Sequence, residues 1–219
     1  MSRKVVRLTL DHLDALSAPC RTCLFWELDP VSRHRVEDAA GEKHAWLSEV
    51  LREWGSCGRV ALVDDEPVGH LVYVPAAYVP GAAGIPTAPV SADAVLLTTV
   101  QVDPRHAGGG LGRMLVQGMA RDLIRRGGIR AVEAFGTTLP GPVAPCLVPA
   151  GFLSSVGFGT QRAHPTNPRM RMELRSALTW KDELEAALER LRGVVRPAPG
   201  PVRPPAPSRG TVPRAVERS

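Results

Sequence analysis

At 219 residues the chain has room for one ordinary domain with a remainder, or for two small ones. Its 44% apolar and 22% charged residues exclude wholesale disorder, and no apolar run approaches the ~20 residues of a membrane span. The net charge of +5 is concentrated at one end: residues 193–219 set Arg196, Arg203, Arg209, Arg214 and Arg218 against Glu217 alone. Residues 1–192 are therefore close to neutral and offer no basic excess for nucleic acid. Residues 1–11 mix charges with apolar positions and do not read as a signal peptide, so the expected location is cytoplasmic and no membrane partner is expected.

In chain order, Val6, Leu8 and Leu10 alternate with Arg7 and Thr9, a half-buried strand. A weakly patterned stretch runs to Pro30. Trp46, Leu47, Val50, Leu51 and Trp54 fall on one helical face within residues 42–54, and Gly55 stops that helix. Residues 59–63 and 68–74 read as two apolar strands joined by Asp64-Asp65-Glu66-Pro67, a hairpin. Residues 75–93, rich in Pro, Gly and Ala, read as a long loop without structure of its own, a length often used for a lid or binding loop. Residues 94–102 are a continuous apolar strand that contains Thr98, Thr99 and Gln101. After a glycine-rich turn, Leu111, Met114, Leu115, Met119 and Leu123 repeat at helical spacing, with Arg125 and Arg126 suited to the C-terminal dipole and Gly127-Gly128 ending the helix. A strand over 129–135, a short helical stretch before Gly157-Phe158, and a last strand through Met170, Met172 and Leu174 complete residues 1–178, which we read as the domain. Thr179-Trp180-Lys181-Asp182 opens a C-terminal helix over 179–192 with a capping-box pattern. Residues 193–219, with seven prolines and no apolar period, read as a disordered tail.

Strand, glycine-rich turn and helix together make an anion site: unpaired N–H groups and the helix dipole face outward, and glycine lets the backbone approach a pyrophosphate. Spacing separates the families that use this device. No Lys-Ser or Lys-Thr follows, so a P-loop fails. In both registers of G-x-G-x-x-G, the third glycine falls on Arg113 or Leu115. What is present is Val100-x-Val102-x-Pro104, then Gly108-x-Gly110-x-Gly112-Arg113. This resembles the coenzyme A-binding core of the GNAT superfamily of N-acyltransferases. The order of elements over residues 3–176 matches that family, and Phe152-Leu153-Ser154-Ser155-Val156-Gly157-Phe158 resembles its late L-Y-x-x-x-G-F element.

The resemblance implies an α/β (α+β) fold whose mixed central sheet is splayed between its fourth and fifth strands and flanked by helices. It implies acetyl-CoA as acyl donor, held by Val100, Val102, Gly108, Gly109, Gly110, Leu111, Gly112 and Arg113, with the pantetheine arm paired to the backbone of Val100 and Val102. A small-molecule or peptide amine would attack the thioester directly, and a backbone N–H of a bulged fourth strand would hold the oxyanion. Two positions depart from the family pattern. Ala107 stands where Arg or Gln usually opens the glycine motif, which leaves Arg105 or Arg113 to supply the charge. Leu153 stands where many members carry the tyrosine that protonates the departing thiolate.

The remaining site residues rest on weaker signals. Glu133 interrupts an apolar strand beside the expected gap and is the first candidate for the base. His164 and Tyr78 are further candidates for acid, base or pocket wall. Glu27 lies where such folds build the acceptor pocket and is a candidate partner for a substrate cation. Cys20 and Cys23 form a C-x-x-C that could be redox-active or, with Cys57 and a histidine, bind zinc, but the ligand spacing is incomplete and no metal is expected. Cys146 reads as packing. Two other classes compete with the enzyme: an acyl-CoA-binding sensor without catalysis, and a redox or zinc regulator built on the C-x-x-C. A homodimer is compatible with all three.

Overall fold

The computed structural model describes residues 1–15, 20–139 and 146–174. The expected C-terminal helix and tail lie outside the described residues.

Strand β1 (Arg3–Arg7) is followed by helices α1 (Leu10–Asp14), α2 (Pro30–Arg33) and α3 (Ala39–Glu53). The hairpin β2 (Gly58–Val63) and β3 (Glu66–Val74) turns at Asp64 and Asp65, both with positive φ (48° and 70°). Asp tolerates that left-handed region better than most residues, which is why the pair can make a two-residue turn. Strand β4 (Ala94–Val102), helix α4 (Leu111–Arg126), β5 (Ala131–Thr137), β6 (Val148–Pro149), α5 (Ala150–Ser155), β7 (Gly159–Arg162) and β8 (Arg169–Glu173) follow. Among the described residues the sheet has 8 strands in the order β1-β2-β3-β4-β5-β8-β7, with β6 beside β5. The β4–β5 pair is parallel and the pairs on either side of it are antiparallel. This is the mixed sheet that the sequence predicts.

Each face of the sheet carries its own core. Leu111, Leu115, Met119 and Leu123 of α4 and Leu153 of α5 pack on one face with Leu71, Val132 and Ala134. Trp46, Leu47 and Val50 of α3 pack on the other with Leu13, Trp26, Val60, Leu96 and Phe135.

Three local readings change. Strand β1 ends at Arg7 because the Thr9 N–H turns to His12 Nδ1 (3.2 Å) at the start of α1. Residues 75–93 are not structureless: they form short 3-10 turns at Ala76–Tyr78 and Pro80–Gly84, and bury Val79, Ala82 and Ile85 in the second core. Gly81 is required there, since a Cβ would stand 2.0 Å from the Phe25 carbonyl oxygen. Strand β7, the first of the strand pair that the resemblance implies, is too polar to show an apolar alternation of its own.

One network ties α4 to the sheet. Asp122 accepts from Arg59 (2.5 Å) and from the Tyr73 hydroxyl (2.6 Å), and Arg126 lies 3.4 Å away. Arg59 also donates to the Gly118 carbonyl (3.2 Å), and Arg126 to the carbonyls of Trp54 (2.5 Å) and Ser56 (2.7 Å).

Candidate active site

The turn before α4 is built as an open cradle. Asp103 Oδ1 accepts the Arg105 N–H (2.9 Å), which starts a 3-10 turn over Pro104–His106. Gly108 and Gly110 then take φ of 75° and 80°, a region L side chains rarely adopt, and a Cβ on either would meet nothing within 4 Å. Among the described residues the amides of Gly108, Gly109, Gly110, Leu111 and Gly112 find no backbone acceptor, so they face the open side together with the α4 dipole. At Gly112 the need is different: a Cβ would stand 2.9 Å from the Phe152 ring, so glycine here lets α4 close on α5. Arg3 Nη1 donates to the Gly109 carbonyl (2.8 Å), bringing a guanidinium from β1 to the rim of the cradle. Arg113 Nη2 donates to the Ser155 carbonyl (2.9 Å), and Arg105 is paired with Asp103 (2.6 Å).

The cradle opens at one end of a cleft in the sheet. Strands β4 and β5 pair only through Ala94↔Ala131, Val95↔Val132 and Leu96↔Glu133. Beyond Leu96 they separate, and β5 takes β6 as its neighbour at Gly136 and Thr137. Burial along β4 follows: Val95 to Thr98 are buried, and Thr99 to Val102 are half-buried. Opposite β3 the register shifts between Val72 and Tyr73, which leaves Thr98 as an extra residue of β4 at the fork. Val100 and Val102 pack toward the α4 side.

The other face of the cleft sets a few polar side chains into the second core. Lys43 of α3 forms an ion pair with buried Glu27 and donates to the Cys23 carbonyl (2.9 Å). His70 of β3, opposite Gln101, is buried; desolvation and the Lys43 charge lower its pKa to about 4, so it stays neutral. Together with Gln101, Val102 and Asp103 it lines a cavity of about 330 Å³ at the open end. Trp26 stacks on Phe135 of β5 at 6.2 Å and donates its indole N–H to the Cys146 carbonyl (3.2 Å).

The sequence profile of the acetyltransferase (GNAT) family matches residues 20–144, more than half of the chain. The chain belongs to the GNAT acetyltransferase family. Its fold is similar to that of the N-acetyltransferase of Staphylococcus aureus Mu50 (12% identity, TM-score 0.53, 80% of this chain and 99% of that chain). It is also similar to the loading GNATL domain of CurA from Lyngbya majuscula (14% identity, TM-score 0.51, 80% and 100%). A third likeness is to the PaiA N-acetyltransferase of Thermoplasma acidophilum in complex with coenzyme A (13% identity, TM-score 0.50, 79% and 99%). No curated protein matches the sequence. Acetyl-CoA is the acyl donor of the GNAT family, and the residues present fit it: the cradle has unpaired donors, space above two left-handed glycines and a cation at its rim.

In this acetyltransferase the predicted residues separate into groups. The cofactor set, Val100, Val102 and residues 108–113, lies together along the cleft and cradle. Glu133 sits at the closed end, 0% exposed, and both its oxygens are taken: Oε2 by the Ser91 N–H (3.0 Å) and Arg169 (3.4 Å), Oε1 by Arg171 (3.1 Å). The Tyr78 hydroxyl donates to Glu53 (3.3 Å) at the far end of α3 from Lys43, and partial desolvation with the Glu53 charge raises its pKa. Glu27 already has its cation in Lys43. His164 lies in the β7–β8 connection, which docks on β5 where it has left β4: Gly136 N–H bonds the Pro168 carbonyl (2.8 Å) and Thr138 N–H the Thr166 carbonyl (3.1 Å). Its Nδ1 accepts from the amides of Thr166 (3.3 Å) and Asn167 (3.0 Å), so the proton of the neutral ring is on Nε2. Leu153 is fully buried in the first core.

Sequence reading missed Arg3, Lys43 and His70. Cys57 is buried, and desolvation raises its thiol to about 12. For Lys43 a signal existed: a cation on the apolar side of α3, one turn before Trp46 and Leu47.

Proposed function

We propose that the enzyme transfers acetyl from acetyl-CoA to a primary amine by direct attack, with the donor entering from the cradle and the amine from the Trp26–Phe135 face. The single observation that carries this is the parting of β4 from β5 after three residue pairs, at the end where the glycine cradle opens. Unpaired backbone of Val100 and Val102 can pair with the pantetheine amides, and the bulge at Thr98 offers a main-chain N–H to the developing oxyanion. Arg3 takes over the charge absent at Ala107. Arg3→Ala is expected to weaken coenzyme A by about tenfold, the scale of one charge-assisted hydrogen bond, in a calorimetric titration; an unchanged affinity would leave Arg3 a loop strut.

For the protons we assign His164 as the donor to the leaving thiolate, through Nε2–H, in place of the tyrosine absent at 153. We assign no carboxylate base. Glu133 is committed to Arg169, Arg171 and Ser91, and a histidine held neutral at about 4, like His70, binds an amine without drawing its proton. The amine therefore reacts as its free base. The acidic limb of the rate profile should then move with the pKa of the acceptor: two primary amine substrates of different basicity should give two different limbs. A common limb for both would mean that the enzyme supplies the base.

Glu133→Gln separates cohesion from chemistry. Loss of a buried pair partner costs about 3 kcal/mol, so the melting temperature should fall while turnover of the folded enzyme stays near normal. A rate loss of roughly two to four decades at unchanged stability would restore Glu133 as the base.

A further inference from the structure

The row of side chains that begins at Trp26 continues past Phe135. Trp26 stacks on Phe135 of β5, β8 sets Arg169 directly opposite Phe135, and β7 sets Arg162 directly opposite Arg169. Directly opposite residues of an antiparallel pair share a face. Both arginines therefore stand on the side of the sheet that carries Phe135 and Glu133. The segment between β3 and β4 closes over this row. The Thr87 hydroxyl donates to the Asn167 carbonyl (2.9 Å), the Ser91 N–H to Glu133 (3.0 Å), and Arg162 reaches the Ala88 carbonyl (3.1 Å).

The two arginines of β8 are used unequally. Arg171 is held by three carboxylates: Nε donates to Glu173 (2.5 Å), Nη1 to Asp93 (3.0 Å) and Glu133 (3.1 Å), and Nη2 to Asp93 (3.0 Å). Arg169, its side chain 14% exposed, makes no hydrogen bond among the described residues. Its Nε is sealed from solvent and has only Glu133 Oε2, at 3.4 Å, an oxygen that the Ser91 N–H already holds. Arg162 has a carbonyl and no carboxylate. A guanidinium keeps its charge, and its five N–H donors carry their desolvation cost until acceptors replace the lost water. A like charge directly across the strand pair adds to that cost. As a stability device the Arg169 arrangement is poor; as the end wall of a site it lacks only an anion.

We propose that Arg169 receives a carboxylate carried by the acceptor, so that the substrates are amines with a carboxylate at a fixed distance from the nitrogen. This rests on the reading of the Trp26–Phe135 face as the acceptor side. The planar fork of a guanidinium matches the two oxygens of a carboxylate in two parallel N–H···O bonds. Glu133 cannot serve in its place, because its oxygens are shared among Arg169, Arg171 and the Ser91 amide. The Phe135 ring, next to Arg169 in the row, gives the carbon chain between amine and carboxylate an apolar wall. Arg162, exposed at the edge, adds charge to the same end of the row.

The test measures kcat/KM of the full-length protein with acetyl-CoA for matched amines: β-alanine, γ-aminobutyrate and ε-aminocaproate, each against its own amide. One length should be preferred, and there Arg169→Gln is expected to cut the acid-over-amide ratio by about tenfold to hundredfold, the scale of a bidentate charge-assisted contact. Comparing the ratio between two proteins cancels the difference in amine basicity, and a purely structural loss would lower both rates alike. Arg169→Lys should recover only part of the ratio, since it keeps the charge and loses the fork. Should Arg169→Gln fail to fold, calorimetry on the parent saturated with coenzyme A decides: the carboxylates bind and their amides do not. The same titration separates this inference from the transferase reading, which alone falls if no amine turns over while the carboxylates still bind. Equal acid-over-amide ratios in parent and Arg169→Gln, equal binding of acids and amides, or a higher kcat/KM for phosphoethanolamine than for every carboxylate would overturn the proposal.

Discussion

Gly110→Trp is expected to abolish coenzyme A binding in a protein that still folds. The cradle rests on backbone donors, and binding of micromolar order corresponds to about −8 kcal/mol spread over the phosphates and the pantetheine arm. At φ of 80° a side chain on residue 110 costs about 1–2 kcal/mol of backbone strain, and its Cβ meets nothing within 4 Å, so the indole stands in the space above the amides. Strain and obstruction are separable. Gly127, at the other end of α4, has φ of 74° and equally open surroundings. Gly127→Trp should lower the melting temperature by at least as much, since ψ of 171° there is all but closed to L side chains, and leave the calorimetric titration unchanged. If both variants bind alike, the pyrophosphate is held elsewhere.

Asp122→Ala should cause the largest loss of stability. Removing the carboxylate leaves the Arg59 guanidinium and the Tyr73 hydroxyl buried without their acceptor. Breaking a buried pair in this way costs about 3–5 kcal/mol, a fall in melting temperature on the order of 10 °C for a domain of this size. The apolar double replacement Arg59→Met with Asp122→Leu should recover much of the loss, because no charge is then stranded. The pH dependence has a definite sign. Burial pushes the Asp122 carboxyl up, but the Tyr73 hydroxyl and the Arg59 charge outweigh it and hold the group below its ordinary value. A depressed carboxyl stabilises the fold above its unfolded pKa of about 3.9, and that contribution is lost as pH falls through the lower folded value. The gap between parent and Asp122→Ala in thermal melts should narrow in acid; a gap independent of pH would show that the carboxylate is not the source of the effect.

The cofactor half of the site was legible because it is local. An unbroken apolar strand, three glycines at alternate positions and a helix with its own apolar face occupy residues 94–126 in one run, and backbone does most of the work. The acceptor half was not, because it is assembled from segments far apart in sequence. Sequence offers Glu133 as a candidate base but not the register of β5 on β8, which sets it opposite Arg171, two residues from Arg169. Those arginines alternate with Met170 and Met172, so a charged face on the last strand was the available sign. Cys146 reads as packing, and it is buried in the second core.

The short β4–β5 contact also bears on how the protein breathes. The two parts of the sheet, β1 to β4 and β5 to β8, share three residue pairs, and among the described residues no strand pairs with the cleft side of β4 past Leu96. Amides on that side should exchange with solvent deuterium far sooner than those of β4 that face β3, within one and the same strand. Coenzyme A should slow the first group and leave the second as it was. The ligand then acts as the missing neighbour of an interior strand, and residue-resolved exchange rates along 97–102 would trace where its pantetheine arm begins and ends.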